Sequence, residues 1–125
     1  MLLYSKLSYD VVGTCMKVHT GLGCGFMEKV YQEALAIQLY EAGIPFEREK
    51  PIHIYYHGNE LSCSYIPDFI IDNKIILEIK AVKEIDDIHK AQTINYLRAT
   101  KLQVGYIVNF GETRLHTERL VNFKK

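Results

Sequence analysis

The chain has 125 residues, 48% apolar and 24% charged, which suits one globular domain spanning 1–125 and excludes a disordered chain. Fifteen basic residues balance fifteen acidic ones, so no global field advertises a polyanionic partner, although a local basic cleft can exist on a neutral protein. Three cysteines, Cys15, Cys24 and Cys63, are odd in number and form no C-x-x-C, which argues against a disulfide framework or zinc knuckle and for reduced thiols in the cytoplasm.

The start, Met1 to Lys6, has no cationic segment leading into a long apolar one, so no secretion signal is expected. No apolar run nears the roughly 18 residues of a membrane span. Leu7, Val11, Val12, Cys15 and Val18 recur at helical spacing and predict a first helix to about Thr20, with Ser8 or Asp10 available near its start. Gly21, Gly23 and Gly25 break it. They resemble a phosphate cradle, but no Lys-Ser/Thr follows and no strand precedes, so they are read as a helix break that permits close approach.

A second helix is predicted from about Met27 to Ala42, with Val30, Tyr31, Ala34, Leu35 and residues 37–39 inward and Gly43 as its stop. Then the period changes to two. Ile52 to Tyr56 reads as a half-buried strand, turning at His57-Gly58-Asn59 into a return strand, Leu61 to Ile71. His53 and His57 lack a third metal ligand. Asp72-Asn73-Lys74 reads as a tight turn, and Ile75 to Val82 as a third strand, apolar on both faces and therefore central. Asp86 or Asp87 should cap a helix running to about Thr100, and Val104 to Phe110 makes a fourth strand, parallel to the third through a right-handed crossover. Gly111 opens a polar tail for which no element is predicted.

The chemistry concentrates at Pro67-Asp68 and, ten residues on, Glu78-Ile79-Lys80. Alternation on a strand sends Glu78 and Lys80 to one side. A two-residue turn at Asp72-Asn73 would set Asp68 opposite Leu77, on the wrong face. A three-residue loop, Asp72 through Lys74, sets Asp68 opposite Glu78 and needs a left-handed residue, Asn73 or Lys74. The longer loop is the expectation. Two carboxylates and an ammonium so placed suit a hard divalent cation and the water it activates, the chemistry of phosphodiester hydrolysis. The plainer alternative is a solvated strand edge with a weak ion pair between Glu78 and Lys80.

The residues Gly25-Phe26-Met27-Glu28-Lys29-Val30-Tyr31 fit the pattern that names the GxxExxY proteins, a branch of the PD-(D/E)XK nuclease-like superfamily, and the chain resembles that family from about Tyr9 to Gly111. The similarity continues through Pro45-Phe46-Glu47-Arg48, Lys50-Pro51, Pro67-Asp68-Phe69, Glu78-Ile79-Lys80-Ala81, His89-Lys90-Ala91-Gln92, Asn95-Tyr96-Leu97 and Asn109-Phe110-Gly111. The resemblance implies an α/β (α+β) fold with a restriction-endonuclease-like αβββαβ core. That core is a four-stranded mixed sheet flanked by helices, with the first helix as an addition.

It implies further that Asp68, Glu78 and the Ile79 carbonyl hold Mg²⁺ or Mn²⁺, that Glu28 reaches the metal or a metal-bound water, and that Lys80 orients or helps deprotonate the attacking water and offsets phosphoryl charge. A carboxylate at Glu28 is favoured by the helix dipole in any case. Gln92 and Tyr96, four apart, resemble the Gln-x-x-x-Tyr of RecB-type nucleases that contacts water or nucleic acid. His89 shares that face and could assist proton transfer or bind phosphate, and Lys83, Lys90 and Arg98 are candidate phosphate contacts. Tyr31 reads as a core aromatic. The implied substrate is nucleic acid, DNA in preference, with a 5′-phosphate product. Two other readings are a non-catalytic nucleic-acid-binding or assembly subunit that keeps the fold, and a homodimer burying the strand Ile52 to Tyr56.

Overall fold

Two helices open the chain in a computed structural model that describes residues 2–123; the expected domain, 1–125, also takes in Met1, Lys124 and Lys125, which lie outside the described residues. Helix α1 (Ser5–Leu22) buries Val11, Cys15 and Val18, and α2 (Glu28–Glu41) buries Tyr31, Leu35 and Leu39. The expected caps of α1 are not used. Ser8 and Asp10 lie inside the helix, Asp10 pairing with Lys6 at 2.7 Å, and the N-cap is Tyr4 without a side-chain hydrogen bond. Ile37, expected inward, is exposed, because it sits about half a turn from the Leu35–Leu39 stripe.

The strands are β1 (Phe46–Arg48), β2 (Ile52–Tyr56), β3 (Asn59–Tyr65), β4 (Phe69–Ile71), β5 (Ile75–Lys80), β6 (Val104–Asn109) and β7 (His116–Val121), with α3 (Asp87–Thr100) between β5 and β6. The main sheet has five strands in the order β1-β4-β5-β6-β7, not four, and β2-β3 is a separate ribbon. The expected long return strand is therefore cut. Pro67 has no N–H for a ladder, so β3 ends at Tyr65, and Phe69 re-enters pairing with a different partner, β1. The tail supplies β7, antiparallel to β6.

As expected, β5 is central, buried throughout Ile75–Ile79, and parallel to β6. One sheet face, carrying Phe69, Ile71, Leu77, Ile79, Val108 and Phe110, packs on α1 and α2. The other carries Ile70 and Ile76 and packs on Tyr96 and Leu97 of α3. Asp86 caps α3 as expected, accepting the His89 backbone N–H at 3.1 Å. No helix among the described residues is long and apolar enough to cross a membrane.

The β4–β5 register, Phe69↔Leu77 and Ile71↔Ile75, leaves Asp72, Asn73 and Lys74 as a three-residue loop. Asp72 (φ 50°) and Asn73 (φ 55°) supply the left-handed residues, and Lys74 N–H closes the turn on Ile71 O at 2.9 Å. Thus Asn73 acts as expected, while Asp72 rather than Lys74 joins it. Short polar side chains tolerate that region best.

Candidate active site

Extending the β4–β5 register by one residue sets Asp68 across from Glu78, on the face that α3 covers. The two carboxylates are tied through backbone. Asp68 N–H donates to Glu78 Oε2 at 2.7 Å, and Ile79 N–H donates to Asp68 Oδ2 at 2.7 Å. Glu78 is 4% exposed, and its carboxyl is pushed up to about 8, first by burial and next by the neighbouring Asp68 charge. Burial likewise raises Asp68, against the lowering by the Ile79 N–H, Gln32 and the Lys80 charge.

Lys80 is half-buried and forms no ion pair with Glu78, so the plain edge-pair alternative does not describe it. Its charge still favours ionisation of both acids. Glu28 opens α2 and accepts the Ala81 N–H at 3.3 Å; its charge raises both Asp68 and Glu78, so it faces the same spot. Tyr31 is a core residue, stacked on Phe110 at 4.6 Å with its hydroxyl donating to Gly23 O at 2.6 Å. The glycines before α2 serve conformation rather than close approach: Gly23 (φ 71°) and Gly25 (φ 113°) have open space where a Cβ would stand.

Tyr96 is buried on α3, and its hydroxyl is raised to about 12 by burial, then by Glu78 and Asp68. Gln92, one turn earlier, is exposed and without a hydrogen-bond partner among the described residues. His89 belongs to the helix cap. Its Nδ1 accepts the Asp86 N–H at 3.2 Å, which leaves Nε2 alone for other work. Lys83 is exposed and unpaired among the described residues, whereas Lys90 is drawn to Glu118 of β7 at 3.6 Å.

Two buried polar residues to which the sequence assigns no role join the site. Gln32, 4% exposed, donates from Nε2 to Asp68 Oδ1 at 2.7 Å and accepts Arg48 Nε at 3.0 Å and Lys29 Nζ at 3.2 Å. Its signal was an amide on the apolar stripe of α2, between Glu28 and Leu35. Asn109, fully buried, accepts the Val82 N–H and donates to Val82 O, both at 3.0 Å, fixing the backbone just beyond Lys80.

No group of three or more His, Cys, Asp or Glu among the described residues could hold a metal ion. The donor set is instead two carboxylates, with Glu28 at its margin. Each carboxylate oxygen has more than one lone-pair direction, and only one bond engages each of Asp68 Oδ1, Asp68 Oδ2 and Glu78 Oε2. Such a pair fits Mg²⁺, which takes one or two carboxylates and keeps several waters.

No curated protein matches the chain. A crystal structure of SSO0001 matches with a TM-score of 0.59 at 19% identity, covering 98% of this chain, which spans 62% of that one. An alkaline exonuclease from Laribacter hongkongensis matches with a TM-score of 0.56 at 14% identity, covering 98% of this chain and 72% of that one. A family model for the PD-(D/E)XK nuclease superfamily matches residues 5–123. The sheet that sets Asp68 beside Glu78 is therefore a nuclease fold, and this chain belongs to the PD-(D/E)XK nuclease superfamily.

Proposed function

We propose that this protein is a Mg²⁺- or Mn²⁺-dependent nuclease, acting on DNA, with Asp68 and Glu78 as the metal ligands. The observation that carries the reading is the juxtaposition of these two carboxylates. A buried acid pushed up to about 8 beside a second acid is a strained like-charge pair that a cation relieves. The Ile79 carbonyl is the further proposed ligand, and Glu28, at the margin of the pair, would reach a metal-bound water rather than the ion.

A divalent cation held there supplies Lewis-acid polarisation of the scissile phosphoryl group and of the attacking water. The chain's own groups do the rest. Lys80 stands on the Glu78 side of β5 and offsets charge gathering on the non-bridging phosphoryl oxygens. Gln32 and the Ile79 N–H fix the Asp68 carboxylate in one orientation. Tyr96 places a neutral hydroxyl beside the two acids, available to bind a phosphate oxygen or a water. Gln92, His89, Lys83 and Lys90 lie on or next to α3, and of these Gln92 and Lys83 are free to contact nucleic acid.

The test is cleavage of single-stranded, duplex and circular DNA, and of RNA, with Mn²⁺, Mg²⁺ or chelator. Cleavage that needs the metal and disappears in Asp68→Asn, Glu78→Gln and Lys80→Ala supports the reading. Intact substrates under every condition with the parent protein would end it.

A further inference from the structure

Between the β2–β3 ribbon and the last turns of α3 lies an open groove of about 610 Å³. Tyr55 and Tyr65 line it from the ribbon, and Asn95, Arg98 and Lys101 line it from the helix end. Tyr55 is 61% exposed, an aromatic ring left in water. The side chains of Arg98 and Lys101 have no ion pair or hydrogen bond among the described residues. The acid beside the groove, Glu60, is already engaged by Tyr55 Oη at 3.3 Å and His53 Nδ1 at 3.1 Å. The two helix cations are therefore the unsatisfied charges of this surface.

One wall of the groove packs on a buried residue near the carboxylates. Tyr65 meets Tyr96 edge-on, with ring centroids 4.9 Å apart, and Tyr96 in turn feels the charges of Glu78 and Asp68. Cations at a helix C-terminus are favoured by the helix dipole, which accounts for Arg98 and Lys101 but not for the aromatic wall facing them. Phosphates of any nucleic acid would satisfy the cations. Only unpaired bases can lay their faces on tyrosine rings, because duplex bases are already stacked.

We propose that this groove binds a single-stranded segment of nucleic acid and leads it to the Asp68–Glu78 pair, with bases stacking on Tyr55 and Tyr65 and phosphates on Arg98 and Lys101. The direction toward the carboxylates rests on the nuclease reading. The binding itself does not.

The experiment measures fluorescence anisotropy of a labelled single-stranded oligonucleotide of about 15 nucleotides, and of its blunt duplex, with the full chain in chelator so that nothing is cut. The single strand should bind more tightly than the duplex. Tyr55→Ala should weaken single-strand binding about tenfold or more and leave the duplex unchanged, as loss of a stacked base does. Tyr55→Phe should retain it. Arg98→Ala with Lys101→Ala should weaken both ligands and lower the salt slope by about the two phosphates released. In parallel, metal-dependent hydrolysis of the p-nitrophenyl ester of thymidine 5′-phosphate, too short to occupy the groove, reports the carboxylate site and should not change in Tyr55→Ala.

Equal binding of strand and duplex, or full binding by Tyr55→Ala, overturns the groove even if ester hydrolysis persists. So does self-association by light scattering that Tyr55→Ala abolishes, since it assigns the surface to a second copy. Hydrolysis lost with binding kept removes the nuclease reading and leaves the groove standing.

Discussion

One amide of Gln32 joins the Asp68 carboxylate, 2.7 Å from its Nε2, to the Arg48 guanidinium, 3.0 Å from its Oε1. The orientation of that amide is settled by its partners, a donor toward the acid and an acceptor toward the bases. Gln32→Leu keeps most of the volume and removes these bonds and the one from Lys29. Asp68 then loses the donor that aims Oδ1, and Mn²⁺ affinity, read by calorimetric titration, should fall about 10- to 100-fold, as when outer partners of metal ligands are lost. Titration curves that coincide with the parent's would remove Gln32 from the site.

Burial disfavours the ionised Glu78 carboxylate in the fold, and its proposed role is to hold the metal. It is buried beside Asp68, and burial is the first cause of its raised carboxyl. Glu78→Gln keeps an oxygen to accept the Asp68 N–H and removes the charge. In chelator the variant should melt at the parent's temperature or above it, while Mn²⁺ should raise the melting point of the parent alone. A variant that melts lower in chelator would show that the acid stabilises the fold.

Much of this arrangement is legible from residue order because it follows from local rules. Asp72-Asn73-Lys74 demands a short loop with left-handed residues, and that loop alone fixes Asp68 opposite Glu78. Asp86 reads as a cap because a short acid precedes a helical period. What escapes notice depends on pairing between distant segments. A three-residue β1 carries no period, and β7 alternates too weakly to separate it from a polar tail. Pro67 could have shown that the return strand must break, since an ungapped ladder cannot pass it. Lys90 reads as free for phosphate because its partner, Glu118, lies on β7, a strand that the residue pattern does not reveal.

Gly111 is required by packing rather than by dihedral angle. A Cβ there would stand 2.4 Å from Val82 O, 2.6 Å from Val82 N and 2.8 Å from Ala81 C, all backbone atoms. These are the residues that follow Lys80, held by Asn109 and in contact with Glu28 through the Ala81 N–H. Gly111→Ala must push that segment away, at an overpacking cost of about 1–3 kcal/mol, and should reduce metal-dependent cleavage more than it reduces stability. Gly105→Ala is the control. Its nearest neighbour is the Thr93 Cγ2 methyl at 3.1 Å, a side chain rather than backbone, so Gly105→Ala should disturb stability and cleavage less than Gly111→Ala does. If the two variants behave alike in melting and cleavage, the backbone clamp is not what positions Lys80.

His116 sits between two acids, its Nδ1 2.9 Å from Glu112 Oε2 and its Nε2 2.6 Å from Glu118 Oε2. Both nitrogens can donate only in the imidazolium, and Glu112 first, then Glu118, raises the ring's affinity for its proton above the ordinary value. The folded protein therefore holds this proton to higher pH than the unfolded chain does. The resulting stabilisation is complete below the unfolded value, about 6.5, and fades as pH rises through the higher folded value. The side chain is 38% exposed, so water and salt screen the effect and it should be modest. Melting curves of the parent and His116→Gln from about pH 6 to pH 9 read it: the parent's advantage should shrink with rising pH, and shrink less at high salt. Parallel curves would mean that folding leaves the proton affinity of His116 unchanged. Because Glu112 also accepts Asn109 Nδ2 at 2.7 Å, loss of the proton should loosen the clamp behind Lys80, and cleavage should decline over the same pH interval in the parent but not in the variant.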